Sequence, residues 1–76
     1  MMKETNISVA LKERRNELNM TTGEVIAELK QRGINISEKT LYGWENGVSN
    51  PNVKAFINLC LIYGITDVYN FLGYNE

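Results

Sequence analysis

Two carboxylate pairs, Glu13/Glu17 and Glu24/Glu28, and one thiol, Cys60, are the side chains whose types and spacing could carry chemistry. Carboxylates four residues apart share a helix face, where one could act as acid and the other as base. Both pairs, however, sit among lysines, arginines and other polar residues, which is the pattern of a solvated helix surface. Cys60 stands in the apolar stretch Ile57-Asn58-Leu59-Cys60-Leu61-Ile62, where a buried, inert thiol is expected. One cysteine can close neither an internal disulfide nor a cysteine-rich zinc site. The chain has no histidine, so the commonest general base and the commonest metal ligand are missing. No glycine-rich phosphate loop is present. The sequence therefore predicts no enzyme, no metal, no cofactor and no small-molecule ligand.

The elements that must position the remaining side chains belong to a short chain. Its 76 residues, 43% of them hydrophobic, with a net charge of −1, fit one folded, soluble, cytoplasmic domain and not a disordered segment. No apolar run approaches the roughly 18 residues of a membrane span, and the start, Met-Met-Lys-Glu-Thr-Asn, lacks the apolar stretch of a secretory signal. A chain this short buries only roughly 60% of the surface its unfolded form exposes. Its core alone supplies about 3–5 kcal/mol, so a second subunit would help.

Five helical segments are separated by glycines and capping residues. The first spans about Asn6 to Asn19, with Ile7, Leu11 and Leu18 at helical spacing and Ala10, Arg14 and Arg15 in the same stripe. Thr21-Thr22-Gly23-Glu24 has the form of a capping box that opens the second. Its apolar face is Val25, Ile26 and Leu29, and Gly33 stops it. Ile34 and Ile36 are expected to plug the core. Ser37 caps a third helix, Glu38 to Asn46, ended by Gly47; Leu41 faces inward with Trp44 or Glu45. Asn50-Pro51 reads as a cap and first helical position of a fourth, with Val53, Phe56, Ile57, Cys60 and Leu61 inward and Gly64 at its end. Thr66-Asp67 caps a short fifth helix bearing Val68, Phe71 and Leu72. The expected fold is all-α: a compact five-helix bundle, with helices two and three forming a helix-turn-helix.

A longer string of residues is more specific. Leu11-Lys12-Glu13-Arg14-Arg15-Asn16-Glu17-Leu18-Asn19-Met20-Thr21 is followed by Ser37-Glu38-Lys39-Thr40-Leu41-Tyr42-Gly43-Trp44-Glu45-Asn46-Gly47 and then Asn50-Pro51. Over about residues 7–73 the chain resembles the Xre/Cro-type, lambda-repressor-like helix-turn-helix regulators. In that family Ser-x-x-Thr-(Ile/Leu)-x-x-(Trp/Tyr)-Glu-x-Gly marks the third helix.

The resemblance implies double-stranded DNA as the partner, with the helix beginning at Ser37 in the major groove. Glu38, Lys39, Tyr42 and Gly43 cannot face the core there. Lys39 could donate to guanine O6 or N7, and Glu38 could accept from cytosine N4. Tyr42 could reach a phosphate or lie against a thymine methyl, while Thr40 touches the DNA or simply helps the helix start. Thr21 and Thr22 open a helix whose N-terminus points at the backbone in relatives, an arrangement suited to phosphate; Thr21 caps, leaving Thr22 free to bond a phosphate. Asn46, Val48 and Ser49 match the loop that brings amides to the next phosphates. The resemblance also pairs Arg15, with Arg14 as the alternative, with Glu45, tying the reading helix to the scaffold.

Three departures from the family pattern stand out. The span from Thr21 to Ser37 is longer, through either a longer second helix or an extended loop at 32–36. Gly43 replaces a commonly polar residue, allowing close groove approach or reducing readout, and weakens the helix by about 1 kcal/mol relative to alanine. The charge balance is slightly acidic, and 47–50 lacks lysine and arginine, so few phosphates would be neutralised and a lone copy would bind weakly. Tyr63, Val68, Tyr69, Phe71 and Tyr74 form an apolar, aromatic tail read as a homodimer interface. The leading reading is a phage or mobile-element type repressor, bacterial or phage-encoded, that occludes an inverted-repeat operator as a dimer. The alternative is an antitoxin-like or anti-repressor interaction module on the same fold.

Overall fold

In this chain, helix endings are set by a recurring backbone device. A computed structural model describes residues 7–73 and contains α1 (Ile7–Glu17), α2 (Thr22–Gln31), α3 (Glu38–Glu45), α4 (Val53–Ile62) and α5 (Val68–Phe71). Each of the first four ends on a residue with positive φ, in turn Asn19, Gly33, Gly47 and Gly64. Beyond each, an amide reaches back to a carbonyl five residues earlier: Met20 to Arg15, Ile34 to Leu29, Val48 to Gly43 and Ile65 to Cys60. This is the Schellman ending, which satisfies carbonyls that a helix terminus leaves open. Asparagine serves at the first because its short polar side chain tolerates the left-handed region. The starts are capped by side chains: Thr21, Ser37, Asn52 and Asp67 each accept from the amide three residues on.

The described residues are all-helical. Leu11 of α1, Val25 and Leu29 of α2, Leu41 and Trp44 of α3, and Ala55 and Leu59 of α4 meet in one core with Tyr63. The third helix lies against α1 and α2, and α2 lies against α4, so α3 is held from two sides. Ile34 and Ile36, from the connection between α2 and α3, pack against the same core. That connection occupies residues 32–37, longer than the three or four residues usual between such helices. The added length of this region thus includes an extended loop.

Three expectations are corrected. Ser8 is buried on α1 while Leu18, beyond its last turn, is exposed; the expected start at Asn6 lies outside the described residues. The fourth helix is capped by Asn52, not Asn50, so Pro51 precedes the helix. Its inward face is Ala55, Leu59 and Cys60, whereas Val53, Ile57 and Leu61 are 75%, 53% and 62% exposed. The helix is apolar nearly all round, and its small inward residue, Ala55, gives no hydropathy signal, so periodicity could not fix the phase. Cys60 is buried with a free thiol, and burial pushes its pKa up, which keeps the reactive thiolate scarce.

The third correction concerns Tyr63, expected on a surface but only 1% exposed. Its hydroxyl is buried with no hydrogen-bond partner among the described residues, and burial raises its pKa well above the ordinary 10. Tyr63→Phe is therefore expected to be neutral or to gain about 1 kcal/mol at pH 7, because an unpaired buried hydroxyl costs free energy. The sign with pH follows from linkage. Unfolded tyrosine ionises near its ordinary value while the folded one stays neutral, so Tyr63's contribution holds below about pH 10 and is lost as pH rises further. Urea unfolding at pH 7 and pH 11 tests both statements: the parent should lose more stability than the phenylalanine variant. A variant clearly weaker than the parent at pH 7 would mean that the hydroxyl has a partner.

Candidate nucleic-acid interface

The second helix starts with the predicted capping box: the Glu24 amide donates to Thr21 Oγ1 at 3.1 Å, and the Thr21 amide donates to Glu24 Oε1 at 2.8 Å. Thr21 is exposed, but Thr22 is buried. The Thr22 hydroxyl donates to Glu38 Oε2 at 2.7 Å. Contrary to the expectation that it is free to bond a phosphate, Thr22 is engaged within the chain, joining the first residue of α2 to the first residue of α3. The two residues are 16 apart in sequence, and no local pattern foretold their meeting.

At the start of α3, Ser37 Oγ accepts from the Thr40 amide at 3.1 Å. The hydroxyls of Ser37 and Thr40 lie 3.1 Å apart, also within hydrogen-bonding distance. Thr40 is half-buried and occupied with this cap, while Glu38, Lys39 and Tyr42 point outward. The side chains of Lys39 and Tyr42 have no hydrogen bond or ion pair among the described residues. This outer face offers a cation, a carboxylate and a phenol, while Leu41, Trp44 and Glu45 face the interior.

Glycine at position 43 also serves the packing of the chain itself. A Cβ there would meet Ser49 Oγ at 3.0 Å and Val48 Cβ at 4.0 Å. The Gly43 carbonyl accepts from the Val48 and Ser49 amides at 2.9 and 3.2 Å. The missing side chain thus makes room for the chain's own loop. The Ser49 amide is correspondingly already engaged. Asn46, Val48 and Ser49 are exposed, and Val48 is 83% so.

Beneath this face lies an ion pair. Arg15 Nε donates to Glu45 Oε2 at 2.7 Å, and Nη2 donates to Oε1 at 2.9 Å, a bidentate fork. Its third nitrogen, Nη1, donates to the Met20 carbonyl at 2.9 Å. The Glu45 side chain is 1% exposed and that of Arg15 is 11%. Hydrogen bonding to Glu45 holds the Arg15 pKa above its usual value. The pair fixes the end of α3 to α1 and to the turn before α2. Arg14, the alternative partner, instead donates to the Tyr63 carbonyl at 2.9 Å and pairs with exposed Glu17.

The expected dimer tail is dispersed. Tyr63 is in the core, Phe71 packs against the core, and Tyr74 lies outside the described residues. Val68 and Tyr69 remain exposed, as does the α4 stripe Val53, Ile57 and Leu61, spaced four apart. No helix among the described residues is long and apolar enough to cross a membrane.

No curated protein and no solved structure gives a significant match to this chain. A family model described as helix-turn-helix matches residues 11–70. That span contains α2 and α3, the Arg15–Glu45 fork and the loop packed against Gly43, and with it the chain belongs to the Xre/Cro/lambda-repressor-like family of DNA-binding helix-turn-helix regulators.

Proposed function

We propose that this chain is a sequence-specific transcriptional repressor of the phage or mobile-element kind, acting in the cytoplasm by occluding an inverted-repeat operator as a homodimer. The observation that carries the reading is the two-sided character of α3. Its outer face presents Lys39, Tyr42 and Glu38, while its inner face is fixed by the buried Arg15–Glu45 fork. A helix so braced presents its side chains in one orientation, which base recognition requires. Thr21, Ser37, Thr40, Asn46 and Ser49 flank this face and provide neutral contacts to the backbone. Pairing is needed because the charge is slightly acidic, and phosphate contacts supply much of DNA affinity. The apolar stripe Val53, Ile57 and Leu61 on α4, with Val68 and Tyr69 of the original tail, is the surface we assign to it.

Selection of bound duplexes from a random pool at moderate salt tests this reading. The expected result is an enriched inverted repeat with half-sites about one helical turn apart. Lys39→Ala should then lower affinity for that site by about 1–3 kcal/mol without changing the unfolding midpoint. An unchanged affinity would remove Lys39 from the reading face. An interaction module is the second reading, favoured by the exposed Val48 and the cation-free loop around it; a folded protein that enriches no sequence would support it.

A further inference from the structure

Glu13 and Glu17, four residues apart on α1, line a groove of about 380 Å³ between α1 and the start of α5. Across it stands Asp67, the cap of α5. Ala10, Ile65 and Phe71 supply the apolar surface of the groove. Ala10 is buried, whereas Ile65 and Phe71 pack against the core and stay partly exposed. The one cation of the lining, Arg14, is already engaged, donating to the Tyr63 carbonyl at 2.9 Å and to Glu17 Oε1 at 3.3 Å. Glu13 has no partner among the described residues, and Asp67 spends only Oδ1, on the Asn70 amide. Exposed carboxylates alone would be a solvated surface. Here two elements far apart in sequence bring them to both sides of one apolar floor. The groove lies on the side of α1 away from α3. Arg15 reaches Glu45 of α3, while Glu13 and Glu17 each stand two residues from it, about 200° round the helix. Val68 and Tyr69, assigned above to pairing, do not line the groove.

We propose that this groove docks a basic segment of a second protein, in which lysines or arginines flank a bulky apolar side chain. The apolar side chain covers Ile65 and Phe71 and removes their remaining surface from water. Lysine and arginine stems lie along the same floor, and their heads reach Glu13, Glu17 and Asp67 in charge-assisted hydrogen bonds. The Thr66 hydroxyl and the Asn70 side-chain amide also line the groove, and they can meet the backbone of an extended segment. DNA does not fit, because three carboxylates repel its phosphates. A second copy of the chain has a net charge of −1, so it lacks the excess of cations that the groove matches. A partner held here leaves Lys39 and Tyr42 uncovered, so it joins the protein without competing for the outer face of α3. The docking does not depend on what α3 reads.

Selection of short random peptides displayed on phage against the immobilised chain tests the proposal. The expected result is enrichment of peptides in which lysine or arginine flanks leucine, isoleucine or an aromatic residue. An enriched peptide, synthesised and titrated into the labelled chain, should shift the amide NMR signals of Glu13, Glu17, Thr66 and Asp67 and leave those of Lys39 and Tyr42 in place. It should bind about tenfold more weakly to the variant carrying Glu13→Gln, Glu17→Gln and Asp67→Asn, which removes three exposed charge pairs. Asparagine caps a helix as well as aspartate does, so α5 keeps its start. Circular dichroism establishes that the variant is folded; if it is not, Glu13→Gln with Glu17→Gln takes its place and should still weaken binding about threefold. No enrichment, enrichment without a bias to cations, or equal binding to the neutralised variant would each overturn the proposal. Displacement by spermidine as readily as by the peptide itself would reduce the groove to an acidic patch and overturn it as well. Groove signals that move with the concentration of the chain alone would make a second copy the occupant and overturn it too.

Discussion

Arg15→Ala is expected to leave the protein largely unfolded at physiological temperature. The substitution strands the Glu45 carboxylate, 1% exposed, with neither of its two donors, and removes the donor to the Met20 carbonyl. Breaking a buried pair from one side costs about 3–5 kcal/mol, comparable to everything a core of this size supplies. Glu45→Gln should cost less, since its amide oxygen still accepts from the guanidinium and no buried charge is left alone. Arg15→Met with Glu45→Leu should recover most of the loss, because replacing both partners removes the desolvation cost along with the attraction. The recovered protein separates the two roles of the pair: it should fold, yet orient α3 less uniquely and bind its site less tightly. Trp44, buried beside Glu45 in α3, provides a fluorescence signal for urea titrations. As a contrast, Arg14–Glu17 is a partly exposed pair, and Glu17→Ala should cost less than about 1 kcal/mol. If Arg15→Ala lies within about 1 kcal/mol of the parent, water reaches Glu45 and the fork is not a brace.

Local interactions explain what was readable in the sequence. Thr21 with Glu24, Ser37 and Asp67 act as caps where expected, and Asn19, Gly33, Gly47 and Gly64 end helices where expected. Each of these depends on residues no more than five apart, so the chain itself brings the partners together. The family string reached further, joining Arg15 to Glu45 across 30 positions, which no periodicity could do. What escaped both readings is tertiary. The meeting of Thr22 with Glu38 depends on how α2 and α3 cross, and the Arg14 bond to the Tyr63 carbonyl depends on where α4 ends. The packing of Ser49 and Val48 against Gly43 was silent too, because a missing side chain does not say which neighbour fills the space. The choice of Asn52 over Asn50 as cap was equally silent, since two asparagines flank Pro51 and either can accept a helix amide.

The phase of α4 was the largest error of sequence reading, and it yields the second large prediction. Leu59 is 0% exposed and Leu61 62%, though both are leucines two residues apart in one apolar helix. Leu59→Ala should cost about 2–5 kcal/mol, combining lost transfer energy with the cavity left behind. Leu61→Ala should leave the isolated chain within about 0.5 kcal/mol of the parent, as surface substitutions do. The two stabilities, measured by urea unfolding at low micromolar protein, decide the phase: equal losses would place both residues in the core and contradict the helix orientation. Concentration then separates an exposed stripe from a pairing surface. If Val53, Ile57 and Leu61 join two copies, the parent's thermal midpoint rises with protein concentration, because association stabilises only the folded form. Leu61→Asp should abolish that rise, since a two-fold contact would place two like charges near one another in an apolar setting. Sedimentation should then give one copy for Leu61→Asp and two for the parent. A parent that sediments as one copy at high micromolar protein, alone and on DNA, would remove pairing through α4 and leave each half-site to a separate, weak reader.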